Sequence, residues 1–141
     1  MKNKDYERLE AFFKEHTEKF VERAEEKAPF ENKIRHTSNV CENMRTIAGE
    51  LGYQDNGFYK AMAAALLHDI GRFRQYEKYG TFSDADSENH GGAGAALIRK
   101  MNLLSGLDQS EQQQIVHAVA MHNSFRLPAD LDKETRELTN M

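Results

Sequence analysis

The sequence predicts a single helix-rich globular domain. Its 141 residues are a one-domain length with room for a real core. With 30% charged and 39% hydrophobic residues and only two prolines, the composition is that of a folded helical protein and not a disordered one. Apolar residues also recur at helical spacing in five segments divided by turn-forming residues.

The same composition excludes several classes of function. The net charge of −4 is spread over mixed acids and bases with no basic block, which argues against a broad nucleic-acid surface. Cys41 is the single cysteine, so no internal disulfide can form and a reducing compartment suits the chain. The N-terminal residues lack an apolar signal core, and the longest apolar run, Ala61 to Leu67, is too short to span a bilayer. The expectation is a cytoplasmic protein with no membrane contact, no internal repeat and no low-complexity linker.

The first helix is expected over Lys4 to Glu26, with Leu9, Phe12, Phe13, Phe20 and Val21 on its apolar side and His16 in a polar, surface setting. Ala28-Pro29-Phe30 reads as a break. A second helix follows over about Lys33 to Leu51, with Val40, Ile47 and Leu51 as its stripe, Met44 beside it and His36 one turn before Val40. Cys41 reads as a buried or half-buried structural thiol. After the turn at Tyr53 to Gly57, which offers Asp55 or Asn56 as a cap, the alanine-rich third helix runs to His68-Asp69 and stops at Gly71. Ala61, Ala64 and Ala65 share the His68 face and let neighbouring helices come close.

The stretch from Arg72 to Asn89 reads as a long functional loop carrying Phe73, Tyr76, Tyr79 and Phe82. Asp84-x-Asp86-x-Glu88 resembles the start of a calcium loop, but Asn89 stands where the turn glycine belongs and Ala95 where the bidentate acid belongs. Its acids are expected to be solvated turn or helix-start charges. A fourth helix starts near His90, with Ala93, Gly94, Leu97 and Met101 on the same face, a Gly91-Gly92 pair allowing close approach, and an end at Ser105-Gly106. The fifth, capped by Asp108 or Ser110, carries Ile115, Val119 and His122 on one side. His117 lies about 140° from His122 on a regular helix and is expected to be a core or flanking histidine. The tail after Leu127-Pro128 is polar.

Four histidines and a carboxylate thus converge from four helices: His36, His68 with Asp69, His90 and His122. Buried imidazoles need partners, and one metal ion satisfies several together. Imidazole and carboxylate without a cysteine cluster suit a divalent Fe, Mn, Zn, Co or Ni in an open, water-bearing site, not a thiolate structural zinc.

This ordered pattern, with Leu66-Leu67-His68-Asp69-Ile70-Gly71-Arg72-Phe73 at its centre, resembles the HD-domain superfamily of metal-dependent phosphohydrolases over about residues 34–126. The resemblance implies an all-α, single-domain HD-type bundle of about five to six helices spanning 1–141, with residues 1–28 as a helix packed on it and 127–141 as a polar tail. It implies His36, His68 and Asp69 as ligands of a first metal, Asp69 as a bridge, and His90 and His122 as ligands of a second. The family's last ligand, an aspartate on a later helix, has no match. Asp130 and Asp132 fall in the segment leading to that helix. The expectation is that the chain is cut short or that another group completes the site; a shortened bundle would expose apolar surface and favour a homodimer.

The implied activity is hydrolysis of a small phosphorylated molecule, such as a nucleotide mono- or diester, by a metal-activated water. Asp69 and Arg72 are its catalytic candidates, Arg72 as a phosphate grip with Arg74 and Lys78 as weaker alternatives. Two other readings stand beside it: a non-catalytic metal- or nucleotide-binding module, and a histidine-rich di-iron oxygenase on the same scaffold.

Overall fold

The computed structural model describes residues 1–122. They form six helices and no strand: α1 (Asn3–Arg23), α2 (Ala28–Glu50), α3 (Asp55–Leu67), α4 (Gly71–Tyr79), α5 (His90–Lys100) and α6 (Gln109–Met121). Arg126, Leu127, Pro128, Asp130 and Asp132 lie outside the described residues. No described helix is long and apolar enough to cross a membrane.

The fold is arranged around α3. Every residue from Lys60 to Leu67 is buried, and α1, α2 and α6 all pack on this helix. Its alanines make that possible, because small side chains on all faces let three helices approach one axis. Lys60 is buried with its ammonium donating to Gln114 Oε1 at 2.8 Å. A second core region joins α1, α2 and α4 through Phe13, Phe20, Phe30 and Phe73, whose ring centroids stand 5.9–6.4 Å apart in successive contacts.

Several local expectations are corrected. Pro29 does not break the chain; it lies in the first turn of α2, where an amide hydrogen would have no helical partner. The buried residues of α2 are Phe30, Thr37, Met44 and Ala48, while Ile47 and Leu51 are 46% and 50% exposed. Gln54, not Asp55 or Asn56, is the N-cap of α3, and Asp55 has a positive φ of 47°. The 72–89 stretch is not all loop, since its first part is α4, with Phe73 and Gln75 fully buried. His16 is half-buried, its ring between those of Phe12 and Phe20, and burial lowers its pKa.

Gly71 is the first residue of α4 and not merely the stop of α3. A Cβ there would meet the His90 carbonyl oxygen at 2.3 Å and the Gly94 nitrogen at 2.8 Å. Gly94 in turn faces Ile70 and Val119, at 3.2 and 3.3 Å from a built Cβ. Gly71 and Gly94 therefore bring the starts of α4 and α5 against α6. The expected close-approach pair does not act that way at Gly92, which faces only its own N-cap residue, Asn89. The buried face of α5 is His90, Gly91, Gly94, Ala95 and Ile98; Met101 is 50% exposed, and the helix ends at Lys100, before Ser105-Gly106.

Candidate metal centre

His68 and His122 are the C-cap residues of α3 and α6. Each turns its ring back onto a last-turn carbonyl that has no helical partner: His68 Nδ1 lies 2.6 Å from Ala65 O, and His122 Nδ1 lies 2.7 Å from Val119 O. His90 opens α5, and its Nδ1 lies 2.9 and 3.0 Å from the two Asp84 carboxylate oxygens. Carbonyls and carboxylates accept, so Nδ1 carries the hydrogen in all three rings. Each Nε2 is then left with a lone pair available to a metal ion.

Those Nε2 atoms meet at Asp69, in the turn between α3 and α4. Its Oδ2 lies 3.3 Å from both His36 Nε2 and His68 Nε2, and these two nitrogens are 3.3 Å apart. Its Oδ1 lies 3.2 Å from both His90 Nε2 and His122 Nε2, which are 2.9 Å apart. The site is two triangles sharing one carboxylate, and each is a group of donors able to hold a metal ion.

The donors fit such an ion. Ligands about 2.1 Å from one centre, at angles between a right angle and a tetrahedral one, stand roughly 3.0–3.4 Å apart, close to the separations found. The electrostatics agree. With Nδ1 protonated, each Nε2 aims a lone pair at a carboxylate and another imidazole unless a cation lies between them. Burial would raise the Asp69 carboxyl, but its closeness to His122, His68 and His90 outweighs this and holds the group well below the usual carboxylate range. Burial lowers the His36 pKa despite nearby Asp69.

The two triangles differ in access. The His68, His90 and His122 side chains are 3–7% exposed, whereas that of His36 is 48% exposed. Solvent reaches the centre from the α2 side. Lys33, one turn before His36, places its ammonium 4.8 Å from the Phe82 ring, and the Arg72 guanidinium lies 5.9 Å from the same ring.

Arg72 is engaged within the protein. Its Nη1 donates to Gln75 Oε1 at 2.9 Å, to Asp84 Oδ1 at 3.1 Å and to the Phe82 carbonyl. Its buried Nε makes no hydrogen bond and stands 3.9 Å from Asp69 Oδ1. His117 is half-buried and belongs to neither triangle.

Two residues escaped the sequence reading. Asp84, expected to be a solvated turn charge, is half-buried against His90, Arg72 and Gln75; burial raises its pKa, but Gln75, His90 and Arg72 bring it below the ordinary value. Its signal was the cluster of three acids before His90, which does not say which acid turns inward. Lys33 carried no signal beyond its spacing from His36.

The HD domain family matches residues 34–140, most of the chain. The chain belongs to the HD-domain family. This HD-domain protein is also 33% identical over 93 residues to Ribonuclease Y of Lawsonia intracellularis (strain PHE/MN1-00), covering 66% of the chain and 14% of that relative. No solved structure gives a significant match.

Proposed function

We propose that this HD-domain protein is a metal-dependent phosphohydrolase acting on a small phosphorylated substrate of the nucleotide class, as a monoesterase or diesterase. The observation that carries the proposal is the bridging position of Asp69, one carboxylate oxygen in each histidine triangle. His36, His68 and Asp69 would hold one ion, and Asp69, His90 and His122 a second. A divalent ion supplies Lewis acidity, lowering the pKa of a water toward neutrality and neutralising phosphate oxygens.

The residues around the centre suit such a substrate. Asp69, held ionised, keeps the two donor sets together. Arg72, anchored through Nη1, adds positive charge beside Asp69 that would favour a phosphate oxygen there. Lys33 adds positive charge on the exposed side, and Phe82, close to both cations, offers an aromatic ring for a base. The name of the ribonuclease relative adds RNA phosphodiesters to the substrates worth testing.

The test combines metal analysis with hydrolysis. Purified protein, metal-free and reconstituted with Mn, Fe, Co or Zn, is assayed with p-nitrophenyl phosphate, bis-p-nitrophenyl phosphate, nucleoside monophosphates and short RNA. Metal-dependent hydrolysis is expected, abolished by Asp69→Ala and unchanged by His16→Ala. Protein that takes up no transition metal, or Asp69→Ala protein that hydrolyses normally, would refute the proposal. Oxygen consumption without phosphate-ester cleavage would replace it with the oxygenase reading.

A further inference from the structure

We infer that Asp84 is a positioning residue that sets metal occupancy in the Asp69–His90–His122 half of the centre. This rests on the metal-centre reading and extends it to a loop residue. His90 begins its helix, so unlike His68 and His122 it has no last-turn carbonyl to fix its ring. Asp84 takes that place, receiving Nδ1–H at 2.9–3.0 Å. Asp84 is itself held from two further directions, by Arg72 Nη1 at 3.1 Å and Gln75 Nε2 at 2.9 Å. Gln75 is fully buried and also donates to Ser87 Oγ at 2.9 Å and to the Glu88 carbonyl at 3.2 Å. One amide side chain from α4 thus ties the 84–88 loop to the helix, and the loop delivers a carboxylate to His90. Arg72 links both carboxylates, with Asp84 on Nη1 and Asp69 3.9 Å from Nε. A carboxylate on the far nitrogen raises the basicity of the ligating one and locks its orientation.

The test is a Co(II) titration of the full chain, followed by visible absorption and checked by elemental analysis. The wild type is expected to bind two ions. Asp84→Ala should retain one and bind the other roughly 10–100-fold more weakly. Asp84→Asn keeps an oxygen acceptor for His90 and should recover part of that loss, while Asp86→Ala, at an exposed position, should behave as wild type. Circular dichroism verifies the fold; if Asp84→Ala is unfolded, the comparison is made on Asp84→Asn, which must still show a weakened second ion. The double variant Asp84→Ala/His90→Ala should lose no more than His90→Ala alone, because both remove the same ligand geometry. Wild-type protein without bound metal would refute the centre and this inference together. Two ions bound with wild-type affinity by the folded Asp84 variants would refute the inference alone.

Discussion

Gly71→Ala tests how the backbone places the site. The added methyl would lie 2.3 Å from the His90 carbonyl oxygen and 2.8 Å from the Gly94 nitrogen. Ordinary contact is about 3.5 Å, so the start of α5 must recede from α4 by about 1 Å. Both obstacles are backbone atoms, so no side-chain rotation relieves the clash. Overpacking of this kind costs roughly 1–3 kcal/mol, sometimes more. Unfolding entropies near 2 cal/mol/K per residue imply about 3–4 °C of Tm per kcal/mol for a chain of this size, hence a fall of roughly 4–10 °C by scanning calorimetry. Gly49→Ala is the matched control: it sits in α2 with nothing within 4 Å of a built Cβ and should gain about 0.5–1 kcal/mol from helix propensity. Because His90 opens the segment that moves, Gly71→Ala should also weaken one of two metal sites. A Gly71→Ala protein with unchanged Tm and both sites intact would show that the approach of α4 to α5 does not position His90.

Two further outcomes follow from the same geometry. Excess Mn or Zn at about 100 times its dissociation constant should stabilise the metal-free protein by about 2.7 kcal/mol, or roughly 8–10 °C in Tm, and chelation should reverse the gain; an unchanged Tm would contradict specific binding to the folded state. Burial pushes the Cys41 thiol up to about 11, and its hydrogen-bonded neighbour Tyr6 is also raised by burial. An unfolded thiol ionises near 8.5, so the folded state holds more protons between that pH and about 11; stability should fall across this window, and alkylation of Cys41 at pH 8 should be slow until the protein unfolds. Rapid labelling at pH 8 in the folded state would overturn the assignment.

Much of the fold was legible because the chain marks its helices locally. Asp108 accepts from the Glu111 amide as expected of an N-cap, and Asn89 starts α5 at His90. The alanine run announced a crowded helix. What failed to show was α4, whose inward positions include the polar Gln75, so its apolar pattern is thin although Phe73 is fully buried. In α2 the apolar residues misled: Ile47 and Leu51 lie exposed near its end while Thr37 and Ala48 point inward. The four site histidines and Asp69 were visible through their placement on or at the ends of separate helices, and the structure brings them within two triangles. Asp84 was not, because a loop residue carries no phase. Its direction is set by Arg72 and Gln75 from a helix that the sequence pattern did not reveal.

The arrangement also explains why a dipeptide sits at the centre. Adjacent residues on a regular helix diverge by about 100°, so His68 and Asp69 could not both face one point from mid-helix. α3 ends between Leu67 and His68, and the turn to α4 lets His68 fold back onto Ala65 while Asp69 presents one oxygen to each pair of histidines. His122 uses the same helix-end device on α6. A carbonyl that helix termination leaves unpaired thus becomes the orienting acceptor for an imidazole, with no additional side chain required. His90 enters at the opposite end of a helix, where no such carbonyl exists, and there a carboxylate from outside the helix takes over. The contact with Asp84 is therefore a consequence of helix polarity, which leaves His90, alone of these three histidines, oriented by a loop residue.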